Sequence, residues 1–276
     1  MSYSAPERQS PMDRDGGRSA TVTRSVREIT RKVIREVLAA SCACGPDDFL
    51  RAGVTFTIAE EHPGRLRFPM PSKPLLVATM GSGVVVSVAP DRLRSARSAL
   101  AGLDRDAIFS AEGIAGLNEV VEPAGQYLVG PVLKYACSAA DLRPAGVPDG
   151  IQVDLLEASE VSELYHHGGF DHALSYRSDG PRPDVLATAA SRSGKVVGVA
   201  AASADCDRMW QIGIEVLESE RRAGVGQALV SQLTAAILDR GVVPYYSTTV
   251  SNLASRTLAV SLGYWPAWTE LYARDR

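Results

Sequence analysis

Apolar positions along the chain follow two periods, and the switches between them mark out the elements. Val22, Val26, Ile29, Val33 and Val37 recur at helical spacing, with Ile34 and Leu38 widening the face, and predict a helix over 23–40. Residues 54–58 alternate, and the apolar runs 75–79 and 84–88 flank Gly81-Ser82-Gly83 as the arms of a hairpin would. A helix is expected over 91–101, with Asp91 available to cap its free amides, then a second near 111–120 and a strand over 126–136. The stretch 141–150, DLRPAGVPDG, is rich in proline and glycine and predicts a domain boundary. After it come a strand at 151–156, a helix at 158–165, and strands at 185–191 and 195–203 around a Ser193-Gly194 turn. A strand at 209–216, a helix at 224–239, a strand at 242–248, a helix at 252–262 and a strand at 267–273 complete the series. Hairpin links that give way to helical crossovers imply an α/β (α+β) fold, with a mixed, mostly antiparallel sheet flanked by helices.

Composition narrows this picture. With 276 residues and 45% apolar side chains, the chain has material for one large domain or two ordinary ones. The division expected is a disordered polar tail over 1–20, a smaller α/β domain over 21–145, and a second domain over 150–276. A formal net charge of −3 argues against a nucleic-acid partner. No apolar run approaches the roughly 18 residues of a membrane span, and the first twenty residues lack the apolar centre of a secretory signal. Cys42, Cys44, Cys137 and Cys206 form no disulfide framework, and Cys42-x-Cys44 has no second ligand pair, so no metal is expected. A cytoplasmic setting and no membrane contact follow as expectations. Arg24, Arg27, Arg31 and Arg35 line one face of the first helix, either for an anionic partner or, the reading preferred, as a solvated face.

The candidate chemistry lies at Arg221-Arg222-Ala223-Gly224-Val225-Gly226, between a strand and a strongly apolar helix. Gly224 and Gly226 offer no side chain to obstruct a ligand nearing the backbone. Amides at a helix start lack internal partners, and the helix dipole favours negative charge there, so a pyrophosphate suits the place. A glycine pair alone fits a tight strand-to-helix turn equally well. The segment has neither the Gly-Lys-Ser/Thr of a P-loop nor the third glycine and distal acid of a dinucleotide fingerprint.

Its neighbours extend the pattern. The order strand, Arg-x-x-Gly-x-Gly, helix, strand, Asn-led helix, Leu-Gly-aromatic resembles the GCN5-related N-acetyltransferase (GNAT) superfamily over roughly residues 150–276. The residues that carry it are the strand ending at Val216, then Arg221 to Gly226, Asn252 and Ser255, and Leu262-Gly263-Tyr264. More loosely, WQIGIEVLE, PYYSTTVSNLAS and LGYWPAWTELY look like the branch containing zwittermicin-type self-resistance acetyltransferases. The resemblance implies acetyl-CoA as acyl donor, no metal, and a strand that splays to pair with the pantetheine arm. It also implies that Ile214, Glu215 and Val216 hold the pantetheine and that Arg221, Arg222, Ala223, Gly224, Val225, Gly226 and Gln227 surround the pyrophosphate. Asn252 and Ser255 would contact the cofactor from the next helix, although Asn252 is equally a plain helix N-cap.

For a base, Glu215 is the first candidate, since many relatives carry a carboxylate nearer the position of Gln211, which cannot take a proton; Glu270 or water are the substitutes. Relatives commonly have a tyrosine where this chain has Ala259, which leaves Tyr264, Tyr245 or Tyr246 as candidate acids and Tyr264 as the choice. His166, His167, Tyr246 and Trp268 are the candidate acceptor contacts. The function implied is acetyl transfer to a primary amine of a small molecule, such as an antibiotic or other specialised metabolite, by an enzyme that could pair as a homodimer. A protein lysine or N-terminal acetyltransferase and a CoA-binding regulatory module without turnover are the alternatives. The N-terminal half would shape the substrate site, as a degenerate copy of the same fold or otherwise.

Overall fold

The computed structural model describes residues 14–67, 74–166, 168–174 and 182–276, with side chains from Thr23 onward. Helix α1 (Arg14–Cys42) is followed by β1 (Gly53–Ile58), β2 (Leu75–Thr79), β3 (Gly83–Val88), α2 (Leu93–Ala99), α3 (Arg105–Ile108), α4 (Ala111–Val121) and β4 (Gln126–Ala136). The second half contains β5 (Gln152–Glu157), α5 (Ala158–Leu164), β6 (Asp184–Arg192), β7 (Lys195–Cys206), β8 (Met209–Val216), α6 (Val225–Asp239), β9 (Val243–Thr249), α7 (Leu253–Ser261) and β10 (Trp265–Asp275). Helix α1 reaches back to Arg14, inside the segment expected to be tail; residues 1–13 lie outside the described residues.

The ten strands of the described residues form one sheet in the order β1-β3-β2-β10-β4-β9-β8-β7-β6-β5. Among the described residues, only β1/β3 and β8/β9 pair in parallel. The sheet is mixed and mostly antiparallel, as the hairpin links require. Strands β2 and β3 are buried at every position, including Thr79 and Ser87, which suits their mostly apolar runs and a place with helices on both faces. One face carries α1, through Ile34, Val37 and Leu38 against Leu76, Val85 and Tyr245, and α5, through Val161 and Leu164 against Val199 and Ala201. The other carries α6, through Leu229, Leu233 and Ile237 against Ala200, Ile212 and Tyr246, and α4, through Leu117 and Val121 against Val77, Val86 and Leu271.

Two local expectations change. Asp91 caps no helix: Pro90, Asp91 and Arg92 form a short 3-10 turn begun by Ala89, and α2 starts only at Leu93. Proline at the first helical position starts the turn without a side-chain cap. The arginine face of α1 is only partly solvated, with Arg24 and Arg31 exposed and Arg27 and Arg35 half-buried. Arg27 and Arg31 stack on the Trp265 ring at 5.5 and 5.2 Å, and Arg27 also pairs with Asp141.

The proline-rich stretch 141–150 is strapped to the second half. Arg143 donates its amide to Leu262 (3.0 Å), Ala145 donates to Ser231 Oγ (3.0 Å), and Pro148 lies against Gly224. The chain's last strand, β10, runs between β2 and β4, so the two halves share one continuous sheet.

Candidate active site

Strand β8 pairs with β7 as far as Val216 but with β9 only from Met209 to Ile212. Past Ile212 the two strands part, and β9 continues against β4 to Thr249. Leu217 donates to Val197 at 2.9 Å, which marks that opposed pair as hydrogen-bonded. Alternation along an antiparallel ladder then turns the N–H and C=O groups of Ile214 and Val216 away from β7, into the gap β9 has left. Arg221 Nε takes the Val216 carbonyl at 2.9 Å, which draws the following loop back over the end of the strand.

That loop ends in the start of α6. Gly224 is the N-cap in the left-handed region (φ 83°), a conformation that costs glycine little and a side-chained residue more. Among the described residues, the amides of residues 222–227 have no backbone acceptor, while Ala228 is the first to close a helical bond, onto Gly224. Six such amides at the positive end of a 15-residue helix suit an anion. Gly226 lets α6 settle against β8: a Cβ there would lie 3.3 Å from Ile214 Cδ1 and 3.9 Å from Leu258 of α7. Gln227 also reaches Ser261 at 3.1 Å, so the helix start, the parted strand and α7 meet at one place. The glycines and the open strand edge fit a pyrophosphate carried on an extended pantetheine arm.

The other expected residues divide. Asn252 is the N-cap of α7, its Oδ1 accepting the Ser255 amide at 3.1 Å. Glu215 is half-buried on the α5 side of β8, and its Oε2 accepts the His172 amide at 3.0 Å. Tyr264 does not reach the gap. It is 2% exposed in the α6 core, its hydroxyl shares a hydrogen with Thr234 at 2.6 Å, and burial raises its phenol well above the usual range. A phenol sealed there is out of reach of a departing thiolate, so Tyr264 is a core side chain and not the expected acid.

The expected acceptor contacts do not form one set, because side chains alternate along a strand. Tyr246 points to the α6 side, 3% exposed, with its phenol pushed up to about 12 by burial against the pull of a Ser255 hydrogen bond. Trp268 is 3% exposed in the α1-side core and donates to Glu270 at 3.0 Å. It also borders a cavity of about 580 Å³ with Arg105, Phe109, Tyr135 and Arg256, between α3 and α7. His166 is exposed beyond α5, and His167 lies outside the described residues.

A buried polar cluster on the α1 side of the sheet had no sequence signal beyond its residue types. Lys134 Nζ lies 3.0 Å from Glu270 Oε1 and 5.6 Å from the Tyr245 ring centre. The Lys134–Glu270 contact is an ion pair without hydrogen-bond geometry, since that oxygen has no hydrogen-bond partner. The Tyr245 hydroxyl donates to Asp205 and lies 3.0 Å from Gln211 Oε1, and Arg182 pairs with Asp205. Desolvation raises the Asp205 carboxyl, against the pull of Arg182 and Tyr245.

Residues 153–264 match the family model described as Acetyltransferase (GNAT) family. Over this segment, less than half of its length, the chain is similar to the GNAT acetyltransferases. No curated protein matches the chain. Among solved structures, the chain is similar to a GCN5-related N-acetyltransferase from Kribbella flavida, at 22% identity and TM-score 0.45 over 58% of this chain and 63% of that one. A GCN5-related N-acetyltransferase-like protein from Streptococcus suis 89/1591 aligns at 22% identity and TM-score 0.40, over 57% and 66% of the two chains. A tandem GNAT protein from the clavulanic acid biosynthesis pathway aligns at 13% identity and TM-score 0.43, over 58% of each. Each alignment spans less than two thirds of the other chain's length.

Proposed function

We propose that this protein transfers an acetyl group from acetyl-CoA to a primary amine of a small molecule. The observation that carries the reading is the meeting of two open backbone surfaces: the β8 edge at Ile214 with the Val216 N–H, and the amides of residues 222–227 at the start of α6. When bound, acetyl-CoA supplies its acetyl group as a thioester. The amides of residues 222–227 would hold the pyrophosphate, and the N–H and C=O of Ile214 would pair with the pantetheine arm as another strand would. The Val216 N–H is the donor we assign to the thioester carbonyl oxygen, a fixed dipole of the kind that stabilises an oxyanion. Ala259 carries no proton donor, so the proton released by the attacking amine would pass to solvent and the CoA thiolate would be protonated from solvent.

A small acceptor is favoured over a protein one by the turn at 170–174, whose carbonyls lie over Gly213 and narrow the face on which an extended peptide would lie. Calorimetric titration with acetyl-CoA tests the cofactor site. Binding in the micromolar range is expected, lost in Gly224→Trp while the thermal melt of that variant stays cooperative. Absence of binding to the unaltered protein would sink the reading; binding would justify an assay of CoA release across amine acceptors.

A further inference from the structure

The family resemblance implied Glu215 as a base, yet its carboxylate is already engaged. Oε2 accepts the His172 amide at 3.0 Å, 43 residues away along the chain. The turn carrying that amide is built into the sheet. Phe170 and Ala173 are 4% and 5% exposed and pack with Val199 and Ala201 of β7, and the amides of Ala173 and Leu174 close onto the Phe170 carbonyl at 3.0 and 3.1 Å. Two residues before Glu215, on the same side of the strand, Gly213 makes room for the turn. A Cβ there would come within 2.6 Å of the His172 carbonyl oxygen and 2.8 Å of that of Ala173. Gly213 thus admits the turn and Glu215 anchors it, directly beside the backbone groups that turn into the gap.

We propose that Glu215 is a positioning residue, which pins the 170–174 turn over the open end of β8 and so sets the wall of the acceptor entrance. This rests on the acetyl-transfer reading for its consequence, but the anchor itself is a property of the protein without ligands. An anchoring acceptor and a base differ in what glutamine can replace: its side-chain carbonyl still accepts an amide, but it takes no proton. Asp171 and His172, the titratable side chains of the turn, are both exposed and are unchanged in every variant below.

Hydrogen exchange at the His172 amide, followed by NMR in the ligand-free protein, tests the anchor. Slow exchange is expected in the unaltered protein and in Glu215→Gln. Exchange at least about tenfold faster is expected in Glu215→Ala, and in Gly213→Ala, where Glu215 is intact but the turn is displaced. Equal protection in Glu215→Ala would overturn the anchor. CoA release from acetyl-CoA, with tyramine or water as probe acceptor, tests the role. Glu215→Gln is expected to keep its rate within about threefold with an unchanged pH profile, whereas loss of a general base costs about 100-fold or more. A loss of that size, with exchange unchanged, would make Glu215 the base and refute the proposal. An unaltered protein that neither binds acetyl-CoA nor releases CoA would defeat the acetyl-transfer reading alone, and the exchange result would still decide the anchor.

Discussion

Single atoms settle several positions. Gly263 adopts φ 95°, and a Cβ on it would stand 1.9 Å from the Asp141 carbonyl oxygen, a backbone atom that cannot swing aside. The Leu-Gly-aromatic run that marks the family resemblance therefore has a packing cause in this chain: the turn after α7 is where the 141–150 strap is laid down. Gly263→Ala is expected to cost about 2–4 kcal/mol, combining left-handed strain with displaced backbone. Urea denaturation measures it, and a loss under about 1 kcal/mol would show that the strap yields. Tyr264, the next residue, shows the reverse. Its type suggested chemistry, but its burial with Thr234 makes it a core side chain.

Among the elements, β4 stands out because the N-terminal half contributes it to the middle of the sheet, between β9 and β10. It brings Lys134, 5% exposed, beside Glu270, 1% exposed. Removing one member of a buried pair leaves the other charge uncompensated, so Lys134→Met is expected to lose about 3–5 kcal/mol. Combining it with Glu270→Leu is expected to recover about half of that loss, since an apolar pair avoids the desolvation that an ion pair must offset. A double-mutant cycle by urea denaturation checks this, and additive losses would mean the two charges do not interact.

Across the whole molecule, Asp141 ties three distant parts together. Its carboxylate accepts from Arg27 of α1, from Ser138 at 2.6 Å and from Trp265 of β10 at 3.0 Å. Desolvation pushes its pKa up, but the hydrogen bonds and the Arg27 charge outweigh it and hold the carboxyl below the usual range. A depressed carboxylate contributes stability that is fully present above the unfolded value of about 3.9 and is lost as pH falls through the folded one. Asp141→Asn is therefore expected to lower the melting temperature at neutral pH, and the gap from the unaltered protein should close as pH falls below about 4. Melting curves from pH 7 to pH 3 check it, and a gap constant with pH would assign the stability to shape alone. The single sheet also implies that the halves unfold together.

The periodicity of the chain was enough to locate most elements, because amphipathic burial is written locally: β8 runs from Met209 to Val216 and α4 begins at Ala111, as read from spacing alone. The glycine loop before α6 was legible for the same reason, since left-handed backbone and open amides need particular residue types in a row. Contacts between residues far apart were not legible. Nothing local to Glu215 announces the amide of His172, nothing in Lys134 names Glu270, and nothing in 141–150 says that a proline-rich stretch is strapped to α6 rather than free. Strand order is decided by which edges meet after folding, so the insertion of β10 between β2 and β4 belongs to the tertiary structure. The side of the sheet that each tyrosine faces follows from alternation along β9, but which side becomes sealed core depends on the helices that cover it.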